Sequence, residues 1–532
     1  MLLGFVSLQW LTVLATALVV RHAGWIYYQG GDQLWLYTSG WLLAHGHLTQ
    51  TRVGYGLPAL YAPIARVAGS DLVSAFPAIV LFNVLILLPA AVLSLYGIAA
   101  RIGGRLFGYW TLLLWITVPF VGVLYTNVGY HQRYTELTLP QSFGLTAMAD
   151  MPTMAFALVA AYFVAKVLFD ATPTLVDAVA AGVAAGAAIA VKPATVLFLA
   201  GPALALLYKR RFAHAGAIVA GLAPAVAALT VWKARGLGNV PLLSRAAPNG
   251  PTGLAAAHPL AALNLGRYLH QLNWSRFLNN LDLLREHFWS GRLIEWLVIA
   301  GLIALARRSV AAALLVGGWF FAFAIVKGTF VGASIEDASL LRLMMPAFPA
   351  FVLLIASLPY LVPGVPRRGR AAPASSGMPP RTRWALISAA IVVTAVVPAV
   401  AVAAAQTGPG LDVATIGKGL FPIPANVDIG LTARVEHGRV ALSWRARHLA
   451  GGPVFYRIWR GRTAGFTCPQ QPGARQCNVT LPEVGVSRSA TFVDRAPPGR
   501  WFYRVAVAAN WLDDPAYGDP YEVSRPVAVT VS

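Results

Sequence analysis

Apolar stretches long enough to cross a bilayer recur along most of this chain, and no other feature restricts its possible folds as much. A membrane helix needs about 20 apolar residues, and such runs recur between Leu2 and Ala405. Of the 532 residues, 57% are hydrophobic and 11% are charged, whereas soluble proteins carry roughly 25% charged residues. The sequence therefore predicts a mainly α-helical, polytopic membrane protein with about eleven transmembrane helices. We expect them near residues 4–21, 76–100, 107–127, 151–168, 177–191, 193–208, 213–232, 293–306, 310–327, 343–362 and 384–405.

The cations stand between apolar runs rather than on one soluble face, although the formal net charge is +21. A nucleic-acid-binding domain would cluster them, so we expect membrane lipids and no nucleic acid among the partners. Basic connections at 101–105, 209–211, 307–308 and 367–383 alternate along the chain, as the positive-inside rule requires of cytoplasmic loops. This predicts a multi-pass plasma membrane protein with a cytoplasmic amino terminus and an extracytoplasmic carboxy terminus.

Longer polar stretches would then lie on the outer side, at 25–75, 128–150, 233–292 and 330–341. Within the first of them, residues 33–47 carry apolar side chains at helical spacing. Such a pattern predicts an interfacial helix along the outer membrane surface. The 233–292 stretch, which mixes aromatic and basic residues, is a second candidate for that position.

The composition changes after Ala405, and we assign 1–405 to the membrane domain, 406–430 to a linker and 431–532 to a separate domain. Apolar and polar residues alternate in 439–444, 454–459 and 501–507, which predicts short strands of an all-β sandwich. These segments resemble a fibronectin type III domain, in which Trp444 and Tyr503 would match two core aromatics of the family. The domain could hold an acceptor or partner, or act as a spacer, because such folds host many functions.

The two cysteines of the chain, Cys468 and Cys477, both lie in this last domain. Their separation is compatible with a disulfide, which would need an oxidising compartment. The alternative is a pair of unrelated free thiols. A disulfide would place the domain outside the cytoplasm, in agreement with the distribution of basic loops.

Two acids stand at the outer ends of predicted helices. Asp32 follows the first membrane helix, and Asp150 begins a helix in the sequence Asp150-Met151-Pro152. Each could be a helix cap. Two acids on one membrane face also suit general-base or metal-assisted chemistry.

Two cations would lie on the same face. Lys192 interrupts an apolar hairpin and precedes Pro193, and Arg342 stands shortly before Pro346. Lys and Arg are usually enriched on the cytoplasmic side of a membrane protein. For cations on the outer side, binding of a phosphate group is therefore at least as good an explanation as contact with lipid headgroups.

The order of these four features resembles that of the glycosyltransferase C superfamily, membrane enzymes that use polyprenyl-phosphate sugars and include protein mannosyltransferases and aminoarabinose transferases. The resemblance covers about residues 25–349. It implies Asp32 and Asp150 as catalytic residues, with Lys192 and Arg342 binding the lipid phosphate. The chain departs from the pattern in having Asp32-Gln33 where mannosyltransferases have Asp-Glu, and Gly56-Leu57-Pro58 where relatives often have Lys-Pro-Pro. Arg52 is a candidate replacement for the missing cation.

A divalent cation is a possible cofactor, and Asp32, Asp150 and His131 are its candidate ligands. The resulting hypothesis is an envelope glycosyltransferase that moves a hexose or pentose, with inversion, from a polyprenyl-phosphate donor to a hydroxyl of a glycan, lipid or protein acceptor. The main alternative is a transporter or lipid flippase, which would place ionisable groups near the bilayer midplane. A noncatalytic scaffold that displays the β-domain is a third hypothesis.

Overall fold

The computed structural model describes residues 1–19, 30–46, 54–69, 72–127, 130, 134–135, 138–234, 272–288, 291–330, 333–336, 338–362, 380–406, 426–446, 455–462, 464, 483–487, 489–508 and 522–532. Seventeen α-helices occur in these ranges: α1 Leu2–Val19, α2 Gly30–Ala44, α3 Gly56–Ala68, α4 Leu72–Phe82, α5 Leu88–Gly103, α6 Arg105–Tyr125, α7 Leu139–Ser142, α8 Asp150–Phe169, α9 Leu175–Val191, α10 Ala200–Tyr208, α11 Phe212–Ala234, α12 Trp274–His287, α13 Gly291–Arg308, α14 Val310–Gly328, α15 Ser339–Met344, α16 Phe348–Ala356 and α17 Pro380–Gln406. A π-helical turn, Asn83–Leu87, joins α4 to α5, and 3-10 turns occupy Pro193–Leu199, Met345–Ala347 and Leu358–Leu361.

Within the described residues, each of the eleven predicted apolar segments is mostly helical, but the predicted number of membrane spans is not confirmed. Within the described ranges, six helical segments are long and apolar enough to cross a membrane. They are Ser74–Gly103, Arg105–Tyr125, Asp150–Phe169, Phe212–Trp232, Val310–Gly328 and Ser339–Leu361. Four further apolar helical segments have only 10–17 residues. Residues 33–44 of the stretch expected to form an interfacial helix belong to α2, whose location in a membrane remains a prediction.

The helix α8 is the centre of the membrane domain. Its 20 residues are buried along most of their length, and it packs between α5 and α9. At 1.5 Å per residue it is about 30 Å long, which equals the thickness of a bilayer's hydrocarbon core. The length of α8 therefore suits one crossing of a membrane.

Arginines from two of the basic connections, 101–105 and 307–308, lie at one end of the helical domain. Asp170, which follows α8, accepts hydrogen bonds from Arg101 Nε at 2.8 Å and Nη2 at 3.3 Å. Arg308 Nε donates to the carbonyl of Ile102 at 3.2 Å, and Arg307 Nη1 donates to that of Leu361 at 3.3 Å. Connections from distant parts of the chain thus meet around the carboxyl end of α8.

The opposite end is organised by the π-helical turn. Its first residue, Asn83, is fully buried and donates through Nδ2 to the carbonyls of Gly144 and Thr146, both at 3.1 Å. These carbonyls belong to the non-helical segment that leads into Asp150. Because backbone groups in an apolar surrounding need partners, the amide of Asn83 stabilises an irregular segment that water does not reach. Single π-helical turns between α-helical segments are often found at functional sites.

The carboxy-terminal region contains nine strands: β1 Asn426–Val427, β2 Thr432–Glu436, β3 Arg439–Ser443, β4 Phe455–Gly461, β5 Glu483–Ser487, β6 Thr491–Asp494, β7 Gly499–Ala508, β8 Glu522–Ser524 and β9 Val527–Val531. One sheet has the order β1-β8-β7-β4-β5 with β9 also paired to β7, and the other has the order β2-β3-β6. Trp444 and Tyr503, the predicted core aromatics, are buried in one shared cluster with Ile458 and Val505. The all-β architecture is therefore observed, while the fibronectin type III resemblance remains a prediction.

The predicted boundary of this domain needs one correction. Residues 426–430 were expected to be linker, yet Asn426 and Val427 pair with β8 in parallel, and Ile429 is buried in the β-domain core. Burial of an apolar side chain in the sandwich fixes this segment, which the linker-like composition did not reveal. The predicted disulfide of Cys468 and Cys477 lies outside the described residues.

A close contact between α3 and α9 explains the two glycines of Gly54-Tyr55-Gly56. A Cβ on Gly56 would lie 2.6 Å from the carbonyl carbon of Ala190, and a Cβ on Gly54 would overlap the oxygen of the same group. Both glycines thus allow the chain to pack against the end of α9, directly before Lys192.

We expect Gly56→Ala to lower the free energy of unfolding by about 1–3 kcal/mol, because the backbone of α9 has to move. Gly216→Ala is the matched control, since no atom lies within 4 Å of a Cβ at this helical position. Thermal unfolding of the purified variants in detergent, followed by tryptophan fluorescence, measures the difference. Equal midpoints for the two variants would contradict the close approach.

Candidate functional site

Four charged side chains from four distant parts of the chain form one connected network. Lys192 Nζ lies 2.6 Å from Asp150 Oδ1, and Arg342 Nε lies 3.2 Å from Asp150 Oδ2. Arg342 also reaches Asp32, with 2.6 Å between Nη2 and Oδ2. These are the two acids and two of the three cations that the sequence analysis singled out, and the structure brings them together.

Helix ends place each of the four residues at this network. Asp150 is the first residue of α8, and Lys192 directly follows the last residue of α9. Asp32 lies in the first turn of α2, and Arg342 in the short helix α15. Because α8 begins here and ends at the basic cluster around Asp170, the network and that cluster occupy opposite ends of the domain.

The residue after Asp32 fixes α2 to the segment before Asp150. Gln33 is fully buried, and its Oε1 accepts a hydrogen bond from the backbone N–H of Ala147 at 2.6 Å. The hydroxyl of Tyr61, from α3, donates to the carbonyl of the same residue at 2.9 Å. A neutral amide suits this buried position, because burying a carboxylate there would cost more free energy than burying an amide. The contact of Gln33 with Ala147 therefore explains why glutamine follows Asp32 in this chain.

Asn280 of α12 has a similar function on the other side of the network. Its Nδ2 donates to the carbonyls of Gly328 and Ala333, both at 3.1 Å, and its Oδ1 accepts from the N–H of Ile335 at 3.2 Å. These contacts hold the connection between α14 and α15. The buried residue Ala338 ends that connection in the left-handed region at φ +60°, which costs an L-residue roughly 1–2 kcal/mol. Arg342 follows one turn later.

The two acids differ in their access to water. The side chain of Asp150 has 0% exposure, and each of its oxygens accepts from a cation. The side chain of Asp32 is 30% exposed and contacts Arg342 through one oxygen. A buried carboxylate is tolerated when cations and hydrogen bonds satisfy it, so Asp150 is suited to holding Lys192 and Arg342 in place. Asp32 is the acid that an incoming molecule can reach.

The other predicted site residues are not part of what the structure shows. Arg52 and His131 lie outside the described residues. Among the described residues, no group of three or more His, Cys, Asp and Glu side chains is arranged to hold a metal ion. In this arrangement Asp150 does not fit a divalent cation, because both of its oxygens face positively charged nitrogens.

Lys327 is a further cation at this end of the helical domain that the sequence analysis missed. It lies in the last turn of α14, with Nζ 5.5 Å from the ring centroid of Phe330. The next residue, Gly328, accepts a hydrogen bond from Asn280 through its carbonyl. A lysine that ends an apolar run is an ordinary pattern in membrane helices. The length of α14 could have revealed the position of Lys327 from the sequence. The helix starts next to the basic cluster, so its last turn must reach the other end of the domain.

Comparisons with known proteins give distant similarities of fold. No protein-family model matches the chain, and no curated protein matches it. A crystal structure of ArnT from Cupriavidus metallidurans bound to undecaprenyl phosphate is similar at TM-score 0.41 and 13% identity, over 66% of this chain and 59% of that one. The structure of the same protein in the apo state is similar at TM-score 0.37 and 14% identity, over 73% of this chain and 62% of that one. The archaeal oligosaccharyltransferase AglB from Archaeoglobus fulgidus, in complex with an inhibitory peptide and a dolichol-phosphate, is similar at TM-score 0.39 and 13% identity, over 77% of this chain and 56% of that one. The chain thus spans less than two thirds of each of these proteins.

The buried ion pairs predict a large effect of removing the charge of Asp150. We expect Asp150→Asn to lower the free energy of unfolding by about 3–5 kcal/mol, because two buried cations lose their counter-charge. Asp170→Asn, at a partly exposed ion pair, should cost about 0–1 kcal/mol. Thermal or chemical unfolding in detergent gives both values.

A double-variant cycle tests the contact directly. The loss in Asp150→Asn combined with Lys192→Met should be smaller than the sum of the two single losses, with a coupling of about 0.5–3 kcal/mol. Strictly additive losses would show that Lys192 and Asp150 do not stabilise each other.

Proposed function

We propose that this protein is an integral membrane glycosyltransferase that moves a sugar from a polyprenyl-phosphate donor to an acceptor hydroxyl, with inversion at the anomeric carbon. The observation that supports this proposal best is the network of Asp32, Asp150, Lys192 and Arg342 at one end of the membrane helices. It combines an accessible carboxylate with cations at the level where a lipid headgroup would lie. The ArnT and AglB structures contain undecaprenyl phosphate and dolichol-phosphate, which are lipid phosphates of the kind that the proposed donor would release.

Asp32 is the general base in this proposal. Its carboxylate takes the proton of the acceptor hydroxyl while the hydroxyl oxygen attacks the anomeric carbon. The bond between that carbon and the phosphate oxygen breaks, and its electron pair remains on the departing lipid phosphate. Arg342 holds Asp32 through one oxygen, which orients the carboxylate for this transfer.

Asp150 receives a different role from the one its position in the sequence indicated. Because it is fully buried, it does not contact an acceptor in this conformation, and we assign it the positioning of Lys192 and Arg342. Fixed positive charge beside the lipid phosphate stabilises the charge that develops as the sugar leaves. A carboxylate with two cationic partners keeps them in place without reorganisation during the reaction.

The network would face the outer side of the plasma membrane, with the basic cluster of Arg101, Arg307 and Arg308 in the cytoplasm. The β-domain would then be extracytoplasmic, where it could bind a glycan, lipid or protein acceptor. The positions of the charges also favour an enzyme over a transporter or flippase. Asp150, Lys192 and Arg342 lie at helix ends, whereas transporter sites lie near the midplane.

The role of Asp32 predicts that Asp32→Asn lowers turnover by about 10²–10⁴-fold, the usual contribution of a general base. Asparagine keeps the size and a hydrogen bond to Arg342, so folding and binding of undecaprenyl phosphate should be retained. Transfer of radiolabelled sugar from undecaprenyl-phosphate hexose or pentose in membranes measures turnover. Asp170→Asn is the matched control, since Asp170 pairs with an arginine at similar exposure but at the basic end. Near-normal transfer by Asp32→Asn would refute the assignment.

The reaction class has its own test. Purified protein in liposomes, supplied with the labelled donor and a mixture of glycan and lipid acceptors, should convert the label to a new product on thin-layer chromatography. A transporter or flippase would move the donor between leaflets and leave it chemically unchanged, and a scaffold would do neither.

A further inference from the structure

The basic cluster at the far end of α8 contains two arginines without an acidic partner. Arg308 Nε donates to the carbonyl of Ile102 at 3.2 Å, and Arg307 Nη1 donates to that of Leu361 at 3.3 Å. Within the described residues, neither guanidinium lies at ion-pair distance from a carboxylate. A carbonyl orients an arginine and leaves its charge uncompensated. Because a guanidinium has several N–H donors, both arginines keep donors for an anionic partner.

The connections at this end provide no carboxylate for these two arginines. Four connections that begin here contain neither Asp nor Glu, namely 102–105, 209–211, 307–309 and 362–379. The connection between α8 and α9 has an acid on each side, and both acids are already paired. Asp170 lies 2.8 Å from Arg101, and Asp177 contacts Lys166. An anion that compensates Arg307 and Arg308 must therefore come from outside these connections.

The 3-10 turn Leu358–Leu361 is contacted by both arginines and adds a hydroxyl group. Arg307 binds a carbonyl of this turn, and Arg308 Cζ lies 5.9 Å from the ring centroid of Tyr360. The tyrosine ring packs against Phe107 of α6, with 5.3 Å between the ring centroids. Within the described part of the chain, the Tyr360 hydroxyl has no hydrogen-bond partner. Two positive charges and a phenolic donor thus surround one turn.

An apolar face of α13 leads to Arg307. Trp296, Ile299 and Ile303 follow one another at helical spacing, and their side chains are 67%, 43% and 53% exposed. Arg307 comes about one turn after Ile303 on the same face. Another side of α13 packs against α14 and α16, which belong to segments long and apolar enough to cross a membrane. The exposed face is therefore in position to contact lipid acyl chains, with a cation at its end.

We propose that Arg307, Arg308 and Tyr360 form a binding site for the phosphate of an anionic phospholipid, whose acyl chains lie along the apolar face of α13. Guanidinium groups match the geometry of phosphate oxygens. A phospholipid has the amphipathic shape that cations beside exposed apolar side chains require. The site selects an anionic lipid, because a zwitterionic headgroup brings its own cation close to the phosphate.

The proposed lipid site and the charged network lie at opposite ends of α8, so this inference goes beyond the proposed function and does not depend on it. Arg308 binds the end of α5, and Arg307 binds the turn that follows α16. A phosphate held by both arginines therefore links α13 to two other parts of the helical domain. Because the unfolded chain lacks this arrangement, the bound lipid also stabilises the fold.

Native mass spectrometry of the purified full-length protein in an uncharged detergent tests the assignment. Phosphatidylglycerol is the anionic probe, and phosphatidylcholine with the same acyl chains is the zwitterionic one. We expect wild-type protein to bind phosphatidylglycerol more tightly by about tenfold or more. Arg308→Gln should lower this affinity by about tenfold, because hydrogen bonds to charged groups are the stronger ones, and leave that for phosphatidylcholine unchanged.

Two further variants complete the test. Tyr360→Phe keeps the ring beside Phe107 and removes the hydroxyl, so it should lower the affinity for phosphatidylglycerol by about twofold to tenfold. Arg211→Gln is the matched control and should bind like wild type. Arg211 stands at the same end of the domain and makes no side-chain hydrogen bond or ion pair within the described residues.

Equal affinities of wild-type protein for the two lipids would overturn the proposal. Wild-type affinity for phosphatidylglycerol in Arg308→Gln would also overturn it, and if this variant does not fold, the same result in Tyr360→Phe has that consequence. An equal loss in Arg211→Gln would show a general attraction to anionic surfaces and no specific site. Inorganic phosphate is the soluble competitor: displacement of the lipid at a comparable concentration would show that a free phosphate is the ligand. The glycosyltransferase proposal stands in each of these cases, because none of these residues belongs to the network.

Discussion

A carboxylate with no access to water, held between two cations, organises this membrane protein. Asp150 can be ionised in its buried position only while Lys192 and Arg342 stay within contact distance, since a buried charge without partners costs several kcal/mol. The three helices or turns that carry these residues must therefore end at one level. Their other ends meet as well, because Arg101 binds Asp170 and Arg307 binds the carbonyl of Leu361.

Irregular backbone around the network depends on buried amide side chains. Asn83 satisfies two carbonyls before Asp150, Gln33 satisfies one N–H in the same segment, and Asn280 satisfies three backbone groups before Arg342. Amides provide donors and acceptors without adding charge. The result is that chain segments outside regular helices are held at the depth of the site, which is possible in membranes only where protein covers them.

Much of the fold follows from the sequence because a bilayer leaves few alternatives. Apolar runs between basic connections predicted the helices, and period-two alternation predicted the β-domain around Trp444 and Tyr503. The four network residues were found because helix ends on one membrane face share a surface. What the sequence could not show depends on contacts between distant residues. Examples are that both oxygens of Asp150 are occupied, that Asn280 holds the end of α14, and that Ile429 belongs to the β-domain core. The bounds of individual helices were also beyond the sequence, since α6 ends at Tyr125, before the predicted residue 127, whereas α5 continues to Gly103, past the predicted residue 100.

Ion pairs hold both ends of α8, so the length of this helix fixes the distance between the two charged ends of the domain. Asp150 anchors its start and Asp170 its end, so α8 and its partners cannot tilt or slide to match a thinner or thicker bilayer without breaking a charged contact. Hydrophobic mismatch must then be absorbed elsewhere. Even the peripheral helix Phe212–Trp232 is held, because its Gly221 packs against the backbone of α9 at Val179. A difference in lipid thickness would thus deform the bilayer around the protein and leave the spacing between its two charged ends unchanged.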